Sequence, residues 1–179
     1  MKKLFLFLFT AGCFAFFSCS NNNGGMSDKA KKNLDNARAI AKSFETKDIS
    51  KLDDYIASDA VDHASPGGET KGLDNIKKMF TQVQGTMTNS KMETVKELAD
   101  DDYVYQWMKE SWTQTQESMG MKPGNYDLNM IEVSKFNADS KVTDHWSFMD
   151  MNDMMKMMPP AAMNDSSSMN KMDSAGKKK

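Results

Sequence analysis

Beyond residue 19 the chain contains no cysteine, since its two cysteines are Cys13 and Cys19. The domain that follows can therefore form no disulfide and offers no thiol nucleophile, so its stability has to come from a hydrophobic core. A basic stripe is also missing. The formal charge is −2, and about −4 once Lys2 and Lys3 are removed, which argues against nucleic acid as a partner. Lysines 177 to 179 read as a solvated tail. Histidine is scarce, with only His63 and His145, and imidazole is the side chain whose ordinary pKa lies nearest physiological pH. Each histidine follows an aspartate, in Val61-Asp62-His63 and in Val142-Thr143-Asp144-His145-Trp146. Those two residues are the first place to look for chemistry.

Lys2 and Lys3 precede an apolar, phenylalanine-rich run from Leu4 to Phe17. A run of this length falls short of the roughly 20 residues a permanent membrane helix needs, so it reads as a removable export signal. The run ends at Ser18-Cys19, followed by Ser20, three asparagines and two glycines. This junction resembles a bacterial lipobox, with Cys19 as the lipidated residue and Phe16 in place of the usual leucine. A cut before Cys13, after Ala11-Gly12, leaves too short an apolar core, and an ordinary signal peptide is the remaining alternative. The expected organisation is a lipoprotein signal peptide at 1–18, a flexible tether at 19–27, one domain at 28–158 and a disordered polar tail at 159–179. The expected location is the bacterial cell envelope, with a lipid anchor to the membrane. Roughly 130 residues are enough for one core and too few for two.

Along the domain, Ala30, Leu34, Ala37, Ile40, Ala41 and Phe44 recur at spacings of three and four, predicting a helix from Asp28 to about Lys47 with Ser27 as its N-cap. Ser50 with Asp53 predicts a second helix start, running through Leu52, Tyr55 and Ile56. A short extended stretch from Ala60 to His63 precedes the Ser65-Pro66-Gly67-Gly68 loop. A third helix carries Leu73, Ile76, Met79, Phe80 and Val83 and ends at Gly85. From about Met87 the pattern becomes extended, with strands at 91–98, 103–115, 126–136 and 141–149 joined by short turns, and so antiparallel. A last short helix covers 151–158. Three helices followed by a run of strands predict an α+β fold, helices packed on one face of a curved antiparallel sheet.

The stretch from Asp54-Tyr55-Ile56 to His63, then Pro66-Gly67 and the helix opening Gly72-Leu73-Asp74-Asn75-Ile76, resembles the first half of SnoaL-like domains of the nuclear transport factor 2-like superfamily. The strand Met130 to Phe136, its turn, and Lys141-Val142-Thr143-Asp144-His145-Trp146 are similar to that family's closing hairpin. The resemblance spans residues 28–158 and implies a cone-like domain with an apolar pocket at its open end, and dimerisation through the outer sheet face. In SnoaL-type cyclases the proton-transferring carboxylate lies two residues after this histidine; here that residue is Ser147, whose hydroxyl cannot serve as a carboxylate near neutral pH.

Alternation puts His145, Ser147 and Met149 on one strand face and Asp144, Trp146 and Phe148 on the other. Asp144 therefore cannot orient His145, and Asp62 is separated from His63 in the same way. A substitute acid would have to come from another strand, with Asp62, Asp127 and Glu132 as candidates. Tyr103, Tyr105 and Trp107 share a face opposite Val104, Met108 and Trp112, which suits a sheet with core on one side and a partner subunit on the other. An aromatic ligand platform is the alternative.

The expected pocket residues are His63, His145, Ser147 and Met149, with His145 and His63 as catalytic candidates. Zinc is disfavoured, because the histidines are far apart and no cysteine is present. The methionines are numerous, 18 in the chain, and the Met151-x-x-Met154 and Met155-x-x-Met158 spacings raise Cu(I) binding as a question. Core packing answers it more simply. No cofactor is expected. The leading functional expectation is an envelope lipoprotein binding a small apolar or amphipathic molecule. The alternatives are an isomerase, cyclase or hydratase using His145 as acid-base group, with Ser147 or a tyrosine polarising an oxygen, and a structural homodimer without a ligand.

Overall fold

The computed structural model describes residues 25–65, 67–118 and 120–157. The expected signal peptide, Cys19 and the tail expected at 159–179 lie outside the described residues. Helix α1 (Asp28–Thr46) starts as the sequence predicts: the Ser27 side chain accepts from the Ala30 amide at 3.0 Å, satisfying one of the free donors of the first turn. Its face of Ala30, Leu34 and Ala37 is buried. Asn33, also buried, donates to the carbonyls of Asp100 and Asp101 at 3.2 and 3.0 Å, tying the helix to a turn of the sheet. The helix ends at Lys47, whose φ of 62° places it in the left-handed region, the usual device for closing off a helix.

Helix α2 is a single turn, Leu52–Tyr55. The expected Ser50–Asp53 capping pair does not form: Lys51 is the cap residue, without a side-chain bond, and Asp53 pairs with Lys77 of the next helix. Strand β1 (Ile56–Asp62) begins earlier than the short stretch expected, because Ile56 and Ala57 are drawn into the core. Strand β2 (Thr70–Lys71) lies between the Ser65–Gly68 loop and the third helix, where no element was predicted. It leads through Gly72, with φ 84°, into α3 (Leu73–Gly85). The four long strands then follow, β3 (Met87–Ala99), β4 (Tyr103–Gln114), β5 (Gly124–Phe136) and β6 (Val142–Met149), and a short α4 (Met151–Met157). No helix among the described residues is long and apolar enough to cross a membrane.

The sheet order is β2-β1-β6-β5-β4-β3. Strands β3 to β6 form the expected antiparallel meander, whereas β1 lies parallel to β6. Irregularities between Thr88 and Lys91 and between Thr94 and Lys96 curve β3, as extra residues on one strand do. Another shift, between the pairs Lys135–Asp144 and Phe136–Val142, leaves Thr143 without a partner. Val142 and His145, an odd spacing apart, therefore both face inward.

The main core joins Leu34 and Ala37 of α1, Leu52, Ile56 and Ala60, Leu73 and Ile76 of α3, and Val104, Phe136 and Val142 of the sheet. A smaller cluster of Val83, Met87 and Met121 packs with Phe44, Met79, Trp112, Tyr126 and Met157 at the other end. Leu52 is fully buried and fills the junction of α1, α2 and β1. Leu52→Ala is expected to lower unfolding free energy by about 2–5 kcal/mol through lost burial and the cavity left behind. Urea titration checks this.

Candidate functional site

The concave sheet and the helices enclose a cavity of about 280 Å³ between the two core clusters. Its wall is mostly aliphatic, aromatic and thioether, with eight methionines, among them Met108, Met130 and Met149. The ionisable groups on the lining are Asp62 of β1, Glu110 of β4, Glu132 of β5 and His145 of β6.

Register brings these groups together. Asp62 and His145 are direct partners across the parallel β1–β6 pair, and Glu132 faces Ser147 across the β5–β6 pair. The His145 ring consequently bridges two carboxylates, with Nδ1 3.0 Å from Asp62 Oδ1 and Nε2 2.7 Å from Glu132 Oε2. Ser147 donates to the other Glu132 oxygen at 2.7 Å. Asp62 is itself anchored, accepting from the Ala64 amide at 3.0 Å and from Ser65 Oγ at 2.8 Å.

Burial works against charge on His145, but its bonds to Asp62 and Glu132 outweigh this and push its pKa up to about 10. The ring is thus an imidazolium at neutral pH, with both N–H groups committed and no lone pair left for a metal. Asp62 likewise resists the upward pull of burial, and its bonds to His145, Ser65 and Ala64 hold its pKa below the ordinary value. Glu110 is the opposite case. Burial, the nearby charge of Glu132 and a hydrogen bond to Glu132 outweigh the helpful charge of His145 and raise its pKa to about 8. Glu110 therefore carries a proton at neutral pH and is the group on this wall poised to exchange it.

Among the residues singled out in the sequence, His145, Ser147 and Met149 line the cavity, together with Asp62 and Glu132. Asp127 is exposed on β5 and takes no part. His63 does not line the cavity, contrary to the expectation that it is a pocket residue. Asp62 and Ala64 point inward, and the residue between them turns outward. There His63 stacks on Trp146, with ring centroids 4.7 Å apart and planes within 5°. Its nitrogens sit 2.9 Å from Glu69 and 3.1 Å from Asp144, and the Asp144 bond leads those that raise its pKa. The two histidines therefore stand on opposite faces of one sheet, joined only through the backbone, where the His63 amide donates to the His145 carbonyl at 2.8 Å. Glu110 was missed. Its signal was the even-numbered series Val104, Met108, Trp112, which places Glu110 on the inner face, but a glutamate in a strand reads as solvated until the neighbouring elements cover it.

Met154 and Met155 of α4 are partly exposed while Met157 lines the cavity, and Met158 lies outside the described residues. Among the described residues no group of three or more His, Cys, Asp or Glu side chains is arranged to hold a metal ion.

Solved structures share this fold. IdmH from Streptomyces antibioticus superposes with a TM-score of 0.58 at 18% identity, covering 70% of this chain and 96% of its own. An LEH-like epoxide hydrolase of M. tuberculosis gives 0.60 at 13% identity, covering 73% and 91%. Bal32a, from a soil-derived mobile gene cassette, gives 0.61 at 18% identity, covering 74% and 100%. Comparison with curated protein sequences gives no match. The sequence profile of the SnoaL-like polyketide cyclases matches residues 35–158, the span that builds both the cone and its acidic wall, and the chain belongs to that family.

Proposed function

We propose that this chain is a lipid-anchored envelope protein whose SnoaL-like domain binds a small, largely apolar or amphipathic molecule, polar head against the acidic wall. The observation that carries this reading is the cavity itself, apolar over most of its surface with Asp62 and Glu132 converging on His145. Such a pocket is the usual form of a small-molecule site. Mass spectrometry of molecules co-purifying with the protein tests it. Met130→Trp, which fills the cavity from β5, is expected to reduce the captured molecule at least about tenfold; equal capture by both proteins would place the ligand elsewhere. Supporting the anchor, Cys19→Ser is expected to move the protein from the membrane to the soluble fraction.

One observation favours a second reading, an enzyme that moves a proton on its ligand: Glu110 titrates at about 8 inside the cavity, near the value that suits acid-base catalysis at neutral pH. His145, fixed as an imidazolium, then orients Glu132 and balances charge, and the acid-base role passes to Glu110.

The outer sheet face supports self-association. Trp107, Ile131 and Phe148 are register neighbours across β4, β5 and β6, each about half exposed, and Tyr105 extends the row. Trp107→Lys with Phe148→Lys is expected to weaken a homodimer at least about tenfold. Sedimentation velocity at several concentrations checks it.

A further inference from the structure

We propose that the molecule taken by this cavity is a lipophilic amine, whose ammonium group is held by the carboxyl groups of Glu110 and Glu132 on the cavity wall. This rests on the reading of the cavity as a ligand site and names the chemistry of its occupant.

The argument is an inventory of donors and acceptors. Three carboxyl groups line the wall against one imidazole, and no lysine or arginine lines it among the described residues. Both N–H groups of His145 are committed to Asp62 and Glu132. Ser147 gives its hydroxyl to Glu132, and Gln106 gives its amide to Glu97 at 2.8 Å. Glu110, whose pKa is raised by burial and by the charge of Glu132, adds a further carboxyl to the same wall. The Ser134 hydroxyl, which can donate or accept, and the buried Trp112 Nε1–H, which has no partner among the described residues, are left over. The wall is thus short of donors and rich in carboxyl oxygens, and a ligand that brings donors is the complementary one.

Charge points the same way. The single imidazolium is shared by two carboxylates, so one negative charge stays unbalanced, and Glu110 avoids adding another by keeping its proton. That net negative wall favours a cation over a neutral or anionic ligand, and an entering ammonium takes the place of the Glu110 proton: Glu110 loses its proton to solvent, and the new carboxylate and the ammonium pair where desolvation makes the pairing count, leaving the net charge of the site unchanged. Nothing else facing Glu110 does this. Asp62, Glu132 and His145 are the charged groups opposite it, and α1 and α3 present apolar side chains to the cavity. From β3, Lys91 lines a small neighbouring hollow that Glu110 also borders, but its Nζ pairs with Glu93 at 3.2 Å. The methionine-rich remainder accepts an apolar body of variable shape.

Three probes of one shape separate the outcomes: aminoadamantane, adamantanone and adamantanecarboxylate, titrated calorimetrically into the full chain. The amine is expected to bind at least about tenfold more tightly than either other probe. Its affinity should rise up to about tenfold per pH unit toward pH 8 and level off above, with about one proton released per amine bound near neutral pH. Glu110→Gln, folding checked by circular dichroism, should abolish that release and weaken the amine at least about tenfold. Glu132→Gln gives an independent variant with the same expected loss of amine affinity. Tighter binding of the ketone, with affinity falling above pH 8, would overturn the amine assignment and leave the cavity as a binding site. Failure of all three probes, with no co-purified small molecule in the cavity, would remove the binding reading itself.

Discussion

Glu110→Gln is expected to stabilise the protein, increasingly so as pH rises. A buried carboxyl held protonated at about 8, against an ordinary value of 4.5, binds its proton more tightly in the folded than in the unfolded chain. The folded pKa is raised, so its contribution is fully present below about 4.5 and is lost as pH rises through about 8. Glutamine keeps the shape and can still donate to Glu132, but has no charge to hold back. The two proteins should therefore match near pH 4.5 and diverge above it, by up to about 5 kcal/mol at pH 8 and beyond, from 1.36 kcal/mol per pKa unit. Urea unfolding at a series of pH values measures this. A variant less stable by the same amount at every pH would show that Glu110 is not held neutral in the folded state. Stability given up at one buried acid is what a ligand site costs a fold.

The second large effect has the opposite sign. Asp62→Ala should lower stability by about 3–5 kcal/mol at pH 6, because it leaves the His145 imidazolium with one carboxylate in place of two. It also strips the Ala64 amide and Ser65 hydroxyl of their acceptor. The folded pKa of Asp62 is depressed, so its contribution exists above its ordinary 3.8 and is lost as pH falls. That of His145 is raised, so its contribution is complete below 6.5 and is lost as pH rises through about 10. The penalty should therefore be greatest between about pH 4 and 6.5 and shrink on both sides. In the variant, the His145 ring resonances should titrate at lower pH than in the parent. An unchanged titration would mean that Glu132 alone sets the charge of the ring.

Much of the fold was legible because the signals that specify it are local. Spacings of three and four placed α1 and α3, and alternation with short turns placed β3 to β6 within a few residues. The same alternation put His145, Ser147 and Met149 on one face and removed Asp144 as the partner of His145; Asp144 turned out to hold His63. Strand β2 and the early start of β1 escaped notice because a two-residue strand carries no period and Ile56 reads equally well as the end of a helix. Asp62 and Glu132 were named among three candidate acids, but nothing along the chain ranked them above Asp127.

Taken alone, the sequence determined which residues share a face, since that follows from backbone geometry at each position. It also excluded disulfides and thiol chemistry from the domain and removed the usual cyclase acid by placing Ser147 where a carboxylate would stand. Only the tertiary structure decided which faces meet. The parallel pairing of β1 with β6 joins Asp62 to His145 across 83 positions, and the bulge at Thr143 lets Val142 and His145 face inward together. The pairing of β4 with β5 puts Glu110 and Glu132 on the same wall of one cavity. Pairing over such distances depends on the packing of the whole chain, and burial, which turns an ordinary glutamate into a proton-holding acid, exists only once that packing is complete.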